Sequence, residues 1–394
     1  MTINLVPLPL PVSADPAILH KFGQEVKGLH PAHLGTSFEQ VKEALYMYGA
    51  LLFCNVDLTP EEIRNLVKAF DPESTTYGHG NSKVDQTKMS ILHSYLKTIP
   101  RVPQVQLIGH GTVLNHEGIP EVILKHGHHS SFHKTRVSDE DEAHGVTRFF
   151  HWYMDMALYD LNLPKVMALY GIRVPKGPNQ VMRYANGNGD ELEVLLGTTA
   201  FVSGKVMFDI LPLEMKSVAV RVKARYAPKP FEWMKDAHAV ETGLGLESEG
   251  LEKSLDELDW DEGKIKIYPF LWKNPVTGDL HLEVHPCAIM EIYVDPVPKK
   301  ARRQGVLYPN GVHITDLKQV RELCYDMQRP GIAPRFVYPH AWQEKDLMLF
   351  HNRGVMHSVV SAFGQDQVWV FHQCNLAASD APDGPNKEDV MKWG

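Results

Sequence analysis

Cysteine is scarce in this chain of 394 residues. The four present, Cys54, Cys287, Cys324 and Cys374, are far apart and form no CxxC pair. That spacing excludes a disulfide frame and a zinc finger, and is expected of reduced thiols in a cytoplasmic protein. No run of about 18 apolar residues occurs, so no membrane-spanning helix is expected. The start, Met1 to Pro11, carries no basic stretch before an apolar core and is broken by prolines, unlike a signal peptide. Basic charge is short as well: the net charge is −8 and the pI near 6.2, which argues against nucleic acid and anionic membrane as partners. Lysine and arginine are absent altogether from 354 to 386, and no Gly-rich phosphate loop is present. Histidine, by contrast, is plentiful, with 21 copies.

Residues 1–35 are Pro-rich and read as an N-terminal arm. Ser37 with Gln40 reads as a capping box opening a helix with stripe Phe38, Val41, Leu45 and Tyr48, stopped by Gly49. Ala50–Cys54 then reads as a buried strand. Thr59-Pro60-Glu61-Glu62 caps a second amphipathic helix carrying Ile63, Leu66, Val67 and Phe70. Residues 71–147 are polar and loop-like. They hold Tyr77-Gly78-His79-Gly80 and the dense run from Lys125 to Lys134, whose histidines suit either a polar pocket wall or a metal.

The stretch from Phe149 to Tyr159 is apolar and aromatic, yet it carries His151, Tyr153 and Asp155 at alternate positions. Alternate residues of a strand share a face, so these three are expected to look into one space. Polar groups on an apolar strand require partners, which hydrogen bonds or a metal would supply.

Strands are expected at 165–174, 195–201, 347–350 and 368–371, and a hairpin at 268–284 around Asn274-Pro275-Val276-Thr277-Gly278. Ser203 leads into a helix near 206–211, and Thr315 caps one with stripe Val320, Leu323, Cys324 and Met327. The 240–263 segment, rich in Gly and acid, reads as an insertion. Many short strands with few long helices point to a mostly β double-sheet barrel with flanking helices. One domain over 36–380, with insertions at 71–147 and 240–263 and a tail at 381–394, is the expected organisation.

Several motifs resemble the taurine dioxygenase family of iron(II)/2-oxoglutarate oxygenases. They are the Leu58–Glu62 opening, Gly197-Thr198-Thr199-Ala200-Phe201-Val202-Ser203-Gly204, the hairpin at 272–280, and Asn352-Arg353-Gly354-Val355-Met356-His357. Ala157-Leu158-Tyr159-Asp160-Leu161 and Gln373-Cys374-Asn375-Leu376-Ala377-Ala378 are similar to its fungal xanthine dioxygenase branch. The resemblance spans roughly 35–380. It implies a double-stranded β-helix (jelly roll) and an oxidoreductase acting on a small molecule. It leaves a homo-oligomer open.

The resemblance implies a facial triad of two histidines and an acid, leaving three metal positions open for 2-oxoglutarate and oxygen. Asp155 matches the acid, His357 the distal histidine and Thr199 an assisting threonine. Asn375 matches a pocket residue. Two positions depart. The first ligand position holds Tyr153, and the region where an arginine would fork onto the cosubstrate holds Val368, Trp369 and His372. His151 does not replace the missing ligand: its Cα would lie ~13 Å from that of Asp155 on a straight strand. A shared metal reaches roughly 11 Å. Tyr153 and Asp155, ~6.6 Å apart, can share one. A phenolate suits iron(III) better than iron(II), so iron(II) binding weaker than the family norm is expected. His372, or Lys125 or Lys134 from elsewhere, would be the substitute cation for 2-oxoglutarate. Alternatives are a catalytically degenerate binder of a small molecule and a 2-oxoglutarate-independent metal enzyme.

Overall fold

The strand Val166–Arg173 is apolar at nearly every position, and both of its faces are buried. In the computed structural model, which describes residues 3–76, 97–156, 159–247, 250–301, 305–360, 362–364 and 366–394, this strand lies inside a nine-stranded sheet. Its neighbours are Leu347–His351 and Trp369–Cys374, both antiparallel to it. Val166, Ala168 and Tyr170 pack outward against the helices Phe38–Tyr48 and Pro60–Phe70, while Met167 and Leu169 face inward. The neighbouring strands split in the same way, with Leu347 and Leu349 outward and Met348 and Phe350 inward. Burial on both faces accounts for the continuous apolar runs.

A second layer is formed by Thr199–Ser203, flanked by Val355–Val359 and Tyr338–His340. Phe201, Phe350, Trp369 and Phe371 fill the space between the two layers. This is the double-stranded β-helix with flanking helices expected from the sequence. Among the described residues, no helix is long and apolar enough to cross a membrane.

The Thr59 capping box forms, with Glu62 N–H donating to Thr59 Oγ1 and Thr59 N–H to Glu62 Oε2. The one at Ser37 does not: Ser37 makes no cap bond, and Gln40 Oε1 accepts instead from the Ile3 amide. That bond belongs to a larger correction. The expected arm is ordered, because Asn4–Pro7 and Gln24–Lys27 extend the large sheet at its edge. An edge strand tolerates proline, since its outer amides need no partner.

Two further segments are more regular than expected. Val102–His116 and Ile119–Leu124 form a long hairpin in the region expected to be loop, and Val102–His116 pairs with Trp369–Cys374. Gly109 allows that pairing: a Cβ there would lie 1.8 Å from the Trp369 carbonyl oxygen. The tail ends in the helix Lys387–Trp393, with Trp393 edge-on to Phe208. The last long helix is capped by Asp316 rather than Thr315. The Tyr77–Gly80 motif lies outside the described residues.

Candidate active site

The segment Phe149–Asp155 is not a continuous strand. It touches the inner layer through single bridges at Phe149 and Tyr153. The Tyr153 amide donates to the His357 carbonyl at 3.0 Å, and the His357 amide donates back at 2.9 Å. This reciprocal pair fixes Tyr153 beside His357, with ring centroids 4.3 Å apart. Asn352 holds the next turn of chain. Its Nδ2 donates to the carbonyls of Asp155 and Pro164, and its Oδ1 accepts from the Asp155 amide. The result is that His357 Nε2 and Asp155 Oδ2 meet at 3.3 Å, although the two residues are far apart in the chain.

Electrostatics at this meeting point are unusual. Burial pushes the Asp155 carboxyl up to about 7, against a hydrogen bond from Gln373 that favours its charge. Burial drives the His357 imidazole down to about 3. Asp155 Oδ2 and His357 Nδ1 have no hydrogen-bond partner. The Tyr153 phenol is raised well above its ordinary value by burial and by Asp155. A buried carboxyl beside a neutral imidazole, with no cation paired to it among the described residues, is an arrangement that a metal ion would complete.

Beside His357 lies a small cavity of about 20 Å³, close to the room for one water. Tyr153, Thr199, His357, Trp369 and Gln373 line it, with apolar side chains between them. The Trp342 indole donates to Thr199 Oγ1 at 3.0 Å. Trp369 packs against Phe363 and Phe371, and its buried indole N–H has no partner.

Asp155, His357, Tyr153 and Thr199 are thus brought together as expected. His372 is not, and the reason is strand alternation. Trp369, Phe371 and Gln373 point into the cavity, so His372 points to the other face. There its Nε2 lies 2.8 Å from His116 Nε2. Burial lowers it to about 3, so it carries no charge for a carboxylate. Lys134 is engaged by Glu247. Asn375 is fully buried two residues beyond Gln373, and both of its amide atoms lack partners. His151 stacks near Tyr153, with centroids 4.8 Å apart. Arg353 is structural, bonded to Asp380 and the Leu163 carbonyl.

Two functional residues escaped the sequence. Gln373 Nε2 donates to Asp155 Oδ1 at 2.9 Å, and Asn352 clamps the Asp155 backbone. Asn352 stood inside a quoted motif, but nothing in the motif tied it to Asp155. Gln373→Leu is expected to raise the Asp155 carboxyl further and weaken metal binding about 10- to 100-fold, as loss of a ligand's supporting bond does. Metal titrations at pH 6.5 and 8.5 check this, the deficit being larger at the lower pH.

The Asp155 value has a second consequence. With a carboxyl titrating near 7 folded and ~3.9 unfolded, the folded state holds the extra proton between those values, so stability falls as pH rises from ~4 to ~7. In chelator, Asp155→Asn is expected to melt above wild type at pH 8, by up to about 2–4 kcal/mol, and to lose that advantage near pH 4. Denaturant melts at the two pH values check it.

Comparisons with known proteins bear on the family and the fold. The family model for taurine catabolism dioxygenase TauD, TfdA family, matches residues 13–374. The chain is 44% identical over 392 residues to the alpha-ketoglutarate-dependent xanthine dioxygenase xan1 of Schizosaccharomyces pombe, covering 98% of this chain and 91% of that one. It is 45% identical over 375 residues to the xanthine dioxygenase xanA of Emericella nidulans, covering 94% and 96%. Among solved structures, a taurine dioxygenase from Burkholderia xenovorans superposes with a TM-score of 0.56 at 15% identity, covering 98% of this chain and 92% of that one. AAD-2 in complex with Mn(II) and N-oxalylglycine superposes equally well, with a TM-score of 0.56 at 17% identity, covering 97% and 99%.

Proposed function

Because the chain belongs to the taurine catabolism dioxygenase family, TauD/TfdA, we propose that it is an iron(II)- and 2-oxoglutarate-dependent oxidoreductase with a remodelled metal and cosubstrate site. Its substrate would be a small polar molecule, a xanthine-like purine or a secondary-metabolite intermediate. The observation that carries the metal is the 3.3 Å convergence of His357 Nε2 and the unpartnered Asp155 Oδ2. Asp155 and His357 would hold iron(II), and Tyr153 is placed to be the third ligand. When bound, iron(II) would supply the oxygen-dependent oxidation that the relatives' names describe.

The chain's own residues would prepare that step. Gln373 keeps the Asp155 carboxylate available, and Asn352 fixes its backbone. The buried Asn375 amide offers one acceptor and two donors, which suits the edge of a planar heterocycle. The relatives named for xanthine support that substrate class.

Toward 2-oxoglutarate the residues fit poorly. No lysine or arginine lines the cavity among the described residues, and Trp369 occupies the region expected to hold an arginine. This favours a second reading, a metal enzyme independent of 2-oxoglutarate or a small-molecule binder that has given up catalysis. Anaerobic iron(II) titration, first alone and then with 2-oxoglutarate, separates the two. A charge-transfer band on adding 2-oxoglutarate, followed by xanthine-dependent succinate release in air, is expected from the first reading. Iron bound with no response to 2-oxoglutarate selects the second.

A further inference from the structure

Outside the cavity, the histidine run 126–133 leaves one fully buried imidazole with nothing to bond. His129 has no exposed surface, and neither ring nitrogen has a hydrogen-bond partner among the described residues. A buried imidazole always carries at least one N–H or lone pair that needs satisfying. Glu142, in the short helix Asp139–Ala143, lies close by, with His129 Nε2 to Glu142 Oε2 at 3.5 Å. The other oxygen, Glu142 Oε1, lies 3.1 Å from His128 Nε2. One ligand atom from each of the three residues lies within 4.8 Å of the others.

We propose that His128, His129 and Glu142 form a second metal site, separate from Asp155 and His357, that takes a zinc-class divalent cation with water as its fourth ligand. A tetrahedral ion with ~2.0–2.1 Å bonds has ligand–ligand edges of roughly 3.3 Å. The two observed contacts, 3.1 and 3.5 Å, are close to that length but run to different Glu142 oxygens, so binding would draw the two imidazoles, whose ligand atoms lie within 4.8 Å, toward one carboxylate oxygen. Two imidazoles disfavour magnesium and calcium, which select oxygen ligands. His128 Nδ1 lies 2.7 Å from Ser130 Oγ and 3.3 Å from the Ser130 amide; ligation through Nε2 takes the tautomer whose Nδ1–H donates to Ser130 Oγ, which then holds the ring from behind. Glu142 is half-exposed, so water reaches the fourth position.

The site would act as a staple on the active-site wall. His129 and Phe132 belong to the same turn as His133, whose Nε2 lies 2.8 Å from the Phe149 carbonyl. Phe132 packs on Phe150 with centroids 4.4 Å apart. Joining this turn to the helix Asp139–Ala143 would hold both ends of the chain that enters the Tyr153–Asp155 segment.

The test uses the full chain with Asp155→Ala and His357→Ala, which removes the other candidate site. After stripping with chelator, cobalt(II) is titrated and followed by visible absorption, and zinc is then added in competition. The expected result is one equivalent of cobalt with tetrahedral bands, displaced by zinc, and binding at least about tenfold weaker on adding Glu142→Gln or His128→Ala. Unaltered binding in those variants, or none in the starting protein, overturns the proposal. Glu142→Gln keeps its size at a half-exposed position, and an unchanged metal-free melt shows that it folds. If the double alanine background folds poorly, the same loss of one equivalent is read between wild type and Glu142→Gln.

Discussion

Tyr153→His is expected to bind iron(II) at least about 10- to 100-fold more tightly than wild type. Losing a ligand's supporting bond alone typically costs that much, and a missing ligand costs no less. The geometry for the gain is already built. The reciprocal backbone bonds between Tyr153 and His357 set where any side chain at 153 begins, and Asp155 is held two residues on by Asn352. What the wild-type side chain lacks is a cheap lone pair. Its phenol must lose a proton that burial and Asp155 hold on firmly, whereas a histidine offers a neutral nitrogen near pH 7. A wild type that ligates through Tyr153 therefore releases one more proton per iron than the variant, and its affinity climbs more steeply with pH. Anaerobic titrations at several pH values read both quantities. Equal affinities with equal slopes would show that position 153 does not face the metal.

The framework was largely legible in the sequence, and the reasons are local. The Thr59 box and the stripe Ile63, Leu66, Val67 and Phe70 encode a helix without outside help, and that helix formed as read. The pair Asp155 and His357 was legible through its motif, and the structure brings the two together. Failures came where tertiary partners decide. Gln40 serves the Ile3 amide rather than its own helix, because the N-terminal strand docks there. Val102–His116 is a strand because Trp369–Cys374, Lys97–Ile99 and Ile119–Leu124 pair with it. His372 failed for a different reason. Its place in the chain suits a cation near the cosubstrate, but the two-residue period of the strand sends it away from Gln373 and toward His116. Gln373, on the correct face, stands at the head of a motif, but nothing in that motif ties it to Asp155.

That same alternation makes Trp369 the position where a cation would matter most. Trp369→Arg is expected to tighten 2-oxoglutarate binding on the order of 2–5 kcal/mol, roughly 30-fold upward. The residue already points into the cavity beside Thr199, and removing the indole ring frees space in a pocket that now has room for about one water. A planar guanidinium would then pair with the far carboxylate by two parallel bonds. The same change has an opposite effect without ligand. An unpaired guanidinium among Phe363 and Phe371 is costly, so the free variant should melt below wild type. Ligand binding to the folded state offsets that loss, and the melting temperature should rise with 2-oxoglutarate from lower concentrations than in wild type. Trp369→Lys separates the two contributions, since it supplies the charge without the fork and should recover only part of the gain. If all three proteins respond to 2-oxoglutarate alike, the cosubstrate is anchored elsewhere, and the tryptophan is packing rather than the lesion in the site.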